Sequence, residues 1–131
     1  MNLQLSLKTK WFELSEPDQK TEDYRDINKY WAKRLLDFNE EIEDDVFSEL
    51  VELLSDTNQF DSFGVKGNMA HFNVSFKKFT TNTLTKGYPP KEDMSRKKVY
   101  EHKGIEIRKG REEWGAEPGK LYFVIKHGKR L

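Results

Sequence analysis

At 131 residues, with 35% hydrophobic and 35% charged residues, the chain can build one core, and a small one for its length. Its 23 basic and 23 acidic residues cancel, which argues against an indiscriminately basic nucleic-acid glue. The absence of cysteine excludes disulfides and thiolate metal sites.

No stretch has the length or apolarity of a signal peptide or a membrane span, so a soluble cytoplasmic protein with no membrane partner is expected. The neutral total hides an uneven distribution. Residues 36–61 hold ten acids and no lysine or arginine, whereas residues 62–131 hold sixteen basic against seven acidic residues, a net +9. Such runs are either solvated faces or a basic body carrying an acidic element. A basic body would draw phosphates, and an acidic neighbour would limit non-specific binding.

Residues 2–7, NLQLSL, alternate apolar and polar, the period of a half-buried strand. KTKWFEL (8–14) reads as a short helix or turn, broken before Pro17. KTEDYRDI (20–27) reads as a strand. NKYWAKRLLDF (28–38) reads as a helix capped by Asn28, with Ile27, Trp31 and Leu35 four apart on a core-facing side. The spacing of Ile42, Val46, Leu50 and Leu54 predicts a helix over 40–55, widened by Phe47, Val51 and Leu53 and capped by Asn39. SDTNQFDSFG (55–64) ends it with turn formers. AHFNVSF (70–76) and KFTTNTLT (78–85) read as strands, KGYPPKEDMSRKK (86–98) as a loop. VYEHKGIEIRKG (99–110) and LYFVIKHG (121–128) read as strands flanking the loop GREEWGAEPGK. Five or six strands with two or three helices predict an α+β fold built on a compact barrel.

Several pieces, in this order, resemble ASCH-domain proteins of the PUA-like superfamily, most closely the small bacterial and phage members: LSLKTKWFEL, QKTEDYRDINKYWAKRL, KGY, HKGIEIRKGREEWG and LYFVIKHGK. The resemblance covers residues 1–36 and roughly 79–131; the acidic stretch 37–78 looks like an insertion within a single domain. It implies a small PUA-like β-barrel flanked by helices, with a cleft beside the barrel. The signature Gly-x-Lys-x-x-Glu-x-Arg falls on Asp18, Lys20, Asp23 and Arg25, so lysine and arginine hold while Asp replaces Gly and Glu. Some members are similar amidohydrolases of acylated cytidine nucleosides using a Lys, a Thr and a Glu; here Asp23 stands where the Thr nucleophile would be.

Arginine offers a planar fork matched to phosphate or a guanine edge, and lysine a mobile point charge. Asp23 can accept from an exocyclic amine of cytosine or fix Arg25, its i+2 neighbour on one strand face. The same alternation turns Lys20 to the opposite face unless it precedes the strand. Lys33 and Arg34 either contact phosphates or solubilise the helix. Lys86 sits before Gly87 and Tyr88, and Tyr88 either stacks on a base or packs in its loop. Arg108, Lys109 and Arg111 cluster beside Glu112, Glu113 and Trp114, with Glu113 the candidate cleft carboxylate and Trp114 a wall or core residue. His71, His102 and His127 lack zinc-type spacing, and no phosphate loop is present, so no cofactor and no metal are expected.

The leading expectation is a nucleic-acid-binding module, RNA first. It would bind a nucleotide or RNA in a basic cleft through Lys20, Arg25, Lys33, Arg34, Lys86, Tyr88 and Arg111. The second is a hydrolase of a modified nucleoside or of RNA, with Lys20 activating water or a nucleophile and Asp23 or Glu113 as general base. The third is a protein-interaction role, the acidic helix 40–55 meeting a basic protein partner.

Overall fold

The computed structural model describes residues 1–7, 12–13, 20–56, 62–87 and 97–131, the side chains of 62–64 apart. Among these, the elements run β1 (Asn2–Leu7), β2 (Glu22–Asp26), α1 (Lys29–Leu35), β3 (Leu36–Phe38), α2 (Asp44–Ser55), α3 (Ser62–His71), β4 (Val74–Phe76), β5 (Thr81–Lys86), β6 (Lys97–Lys109) and β7 (Leu121–Arg130). Five strands form one mixed, strongly curled sheet in the order β1-β5-β6-β7-β2, and β3 pairs with β4 in a second. The α+β class is borne out, with a curled sheet edged by β1 and β2 where a barrel was expected. No helix among the described residues is long and apolar enough to cross a membrane.

Three local expectations are corrected. The helix starting at Asn28 ends at Leu35, because Leu36–Phe38 pairs antiparallel with Val74–Phe76 and leaves the helix to do so. The strand expected over 70–76 shrinks to Val74–Phe76. Its first residues belong to α3, which stops where Asn73 turns left-handed at φ 55°, a conformation Asn tolerates. Asn39 does not cap α2, which begins at Asp44; its amide donates instead to the Asn73 carbonyl and Oδ1, joining the ends of β3 and β4.

Two compact units emerge. The first comprises Met1–Asp23, Lys78–Gly104 and Ile125–Leu131. Here β1 lies parallel to β5, Asn2 opposite Thr81 and Leu7 opposite Lys86, and β5 lies antiparallel to β6, Thr81 opposite Glu101. The β1 alternation buries Leu3, Leu5 and Leu7, as its period of two dictates. On the other face, the Thr81 and Thr83 hydroxyls each donate to Asn2 Oδ1 at 2.8 Å.

The second unit comprises Tyr24–Lys77 and Ile105–Val124. Its core gathers Ala32, Leu35 and Leu36 from α1 and β3, Phe47, Leu50 and Leu54 from α2, and the apolar run Leu121–Val124. Ala116, Tyr122 and Val124 form a cluster against which Tyr24 packs, its ring 5.7 Å from that of Tyr122. The Tyr24 hydroxyl accepts from the Arg111 N–H at 3.0 Å. That approach requires a glycine at 110: a Cβ there would lie 2.7 Å from the Ala116 Cβ and 2.9 Å from the Tyr24 ring.

Candidate functional site

In the second unit the Asn28 cap accepts from the Trp31 N–H at 2.9 Å and sets where α1 begins. That start fixes which side chains share a face: Tyr30 and Arg34 are one turn apart, as are Trp31 and Arg34. The Arg34 guanidinium lies 5.1 Å from the Trp31 ring centre and 5.5 Å from that of Tyr30, and its Nη1 donates to the Tyr30 hydroxyl at 3.0 Å. From β2, the Arg25 guanidinium lies 4.8 Å from the same Trp31 ring. Tyr30 meets Trp31 edge to face at 5.3 Å and is 60% exposed. The result is a ladder of two guanidiniums and two aromatic rings. Arg25, Trp31 and Arg34 are half-buried, so each cation–ring contact contributes about 0.5–2 kcal/mol. The helical spacing places Trp31 in the core, but α1 buries Ala32 and Leu35 and leaves Trp31 half-buried beneath the arginines.

Lys33 is exposed, its Nζ 5.8 Å from the Phe47 ring centre. Lys29 pairs with both carboxylate oxygens of Asp44 at 3.2 Å. Arg111 stacks at 4.7 Å on Trp114, and its Nη1 reaches Glu113 Oε1 at 3.5 Å. Both sit on a short 3-10 turn, Glu112–Trp114, closed by Gly115 at φ 97°. Glu113 is exposed and pairs with an arginine.

In the first unit, Lys20 Nζ and Asp23 Oδ1 lie 3.4 Å apart, with side chains only 3% and 5% exposed. Alternation does not separate them, because Lys20 precedes β2, which begins at Glu22. Lys86 ends β5 half-buried, opposite Leu7. Tyr88 and Asp18 lie outside the described residues. Of the residues read from the sequence, the structure therefore brings together Lys20 with Asp23, Arg25 with Arg34, and Arg111 with Glu113.

A third arrangement was not read from the sequence. Asn82 on β5 is fully buried, and its Nδ2 donates to the Lys126 carbonyl at 3.2 Å and meets His127 Nδ1 at 2.8 Å. Its Oδ1 meets His102 Nδ1 at 2.7 Å. A backbone carbonyl only accepts, so it fixes which end of the amide is nitrogen, and the rest follows. His127 accepts at Nδ1, and His102 donates from Nδ1. Burial holds the His102 ring below its ordinary pKa, aided by the nearby Lys126 charge. Residues 82, 102 and 127 stand 20 and 25 apart in sequence, and only strand register aligns them.

No protein-family model, curated protein or solved structure matches the chain.

Proposed function

We propose that this protein binds single-stranded RNA, with the face built by β2 and α1 as a contact surface. The observation that carries this reading is the ladder of Arg25, Trp31, Arg34 and Tyr30. Stacking a guanidinium on a ring restricts its motion before a ligand arrives and so reduces the entropy lost on binding phosphate. The exposed Tyr30 offers a face for a splayed base, the chemistry by which unpaired RNA is held. Exposed Lys33 adds a positive charge on the same helix. The resemblance of the flanking segments to ASCH-domain proteins agrees with a nucleotide-type ligand.

The test is binding of short single-stranded RNAs across a salt series, wild type beside Arg25→Ala/Arg34→Ala and Tyr30→Ala. Removing one cation that neutralises a phosphate lowers the salt slope by about 0.7, so the double variant should show a slope smaller by about 1.4. Tyr30→Ala should weaken binding with the slope intact. Absence of binding at low salt, or binding indifferent to salt and to these substitutions, would overturn the proposal.

The Lys20–Asp23 pair supports a second reading, hydrolysis of an acylated nucleoside, since it sets a buried lysine beside a carboxylate at positions of the ASCH-like signature. Acylated cytidine turned over by wild type and not by Asp23→Asn would favour it. No turnover by the wild type would dismiss it.

A further inference from the structure

We propose that a pocket between α1 and α2 takes a single guanine base of the bound RNA, an inference that rests on the RNA-binding reading. The pocket has a volume of about 210 Å³ and is lined by Lys33, Phe38, Ile42, Asp44 and Phe47. Ligand pockets for larger compounds run to about 300–1,000 Å³, so this one suits a single planar ring system. Its apolar side is made by the Phe38 and Phe47 rings, 5.4 Å apart at 58°, together with Ile42. Phe47 is buried and Phe38 and Ile42 are half-buried, so the apolar side offers a base their edges more than an open ring face.

The two charges choose among the bases. A carboxylate receives two hydrogen bonds best from two donors side by side, and guanine alone presents that pair, at N1–H and the exocyclic N2 amine. Guanine also carries O6 and N7 as adjacent acceptors, the edge that lysine reads most often. Asp44 and Lys33, which both line the pocket, supply the two charge types that guanine's edges call for. Adenine and cytosine offer one exocyclic amine each, and uracil offers a single ring N–H.

The existing contact of Asp44 with Lys29 does not prevent this. The Asp44 side chain is 81% exposed and that of Lys29 44%, and such solvent-facing pairs are weak. A carboxylate has about four acceptor positions, so it can hold Lys29 and a base edge together. Lys33 extends from the helix that carries Arg34 and Tyr30, so a base seated here belongs to a strand tracking α1.

The experiment compares short uridine oligonucleotides carrying one central guanine, adenine or cytosine, by fluorescence anisotropy. Wild type is set beside Asp44→Asn, a near-isosteric change at an exposed position, and Ile42→Trp, which fills the pocket. Ile42 methyl resonances are followed in parallel with guanosine and adenosine monophosphate. We expect the guanine oligonucleotide to bind about tenfold tighter than the others, with both variants reduced to the common level. The Ile42 methyls should shift with guanosine monophosphate alone. Oligonucleotides bound without base preference, and unaffected by Asp44→Asn, would overturn the pocket and leave RNA binding standing. Ile42 shifts with guanosine monophosphate but no oligonucleotide binding would keep the pocket and end the RNA reading. Neither signal would overturn both.

Discussion

The two units handle charge in opposite ways. Among the described residues, every buried polar or charged side chain belongs to the first unit: Lys20, Asp23, Asn82, Thr85, Lys98 and His127. Each is tied to a neighbour. Lys98, for example, donates to the Phe12 carbonyl at 2.8 Å with its Nζ 4.4 Å from the Phe12 ring. The second unit buries apolar side chains and lays cations on aromatic rings, Arg111 exposed and Arg25 and Arg34 half-buried. Burying a charge is costly unless it is matched, so each of the first unit's buried polar groups depends on the partner it has. Charge is buried against partners in one region and stacked on aromatic rings in the other.

The sharpest way to break that contrast is to remove one charge from each region. Asp23→Ala leaves Lys20 buried without its carboxylate and should destabilise the protein by about 3–5 kcal/mol. Arg25→Ala and Arg34→Ala remove half-buried cation–ring contacts and should each cost about 1–2 kcal/mol. Urea unfolding of the three variants measures both. An Asp23→Ala cost near that of the arginine variants would show that the first unit's pair is not structural.

How much of this was legible in the sequence follows the same division between local and distant causes. β1 was legible because Leu3, Leu5 and Leu7 repeat at period two, and the start of α1 because Asn28 is a good cap. The end of α1 was not, since Leu36–Phe38 becomes a strand through pairing with Val74–Phe76, far along the chain. α3 was hidden because Gly64 and Gly67 disfavour a helix and its apolar residues fall on no one face. Arg25 and Arg34 were legible as candidates, but their common contact was not. The spacing of Ile27, Trp31 and Leu35 suggested core, and only the strand β2 shows Arg25 reaching Trp31. The Asn82 network left no sequence signal, because three residues on three strands meet only once the register is set.

That network offers the second test. Asn82→Ala removes the amide serving the Lys126 carbonyl and both imidazoles inside the first unit. Leaving a buried polar group without its partner costs about 1–3 kcal/mol. Thermal unfolding should register that cost, while the salt slope of RNA binding stays at its wild-type value. A change in that slope would mean the network and the basic face are not separable.

The smallest effect is the one that tests protonation. The folded His102 binds its proton more weakly than the unfolded chain does, because burial and Lys126 oppose the charged ring. Around and below the ordinary histidine value of about 6.5, the unfolded state therefore holds more protons, and stability falls as pH falls. It is fully present above that value and is lost toward the lower folded one. A single site changes stability by at most about 1.4 kcal/mol per pH unit. His102→Asn isolates it, because an asparagine Nδ2 can donate to Asn82 Oδ1 as the imidazole Nδ1 does, yet does not titrate. Unfolding free energies measured from neutral to mildly acidic pH should decline in the wild type and decline less steeply in the variant. Parallel declines would place the titration elsewhere, and would leave the first unit's network as packing alone.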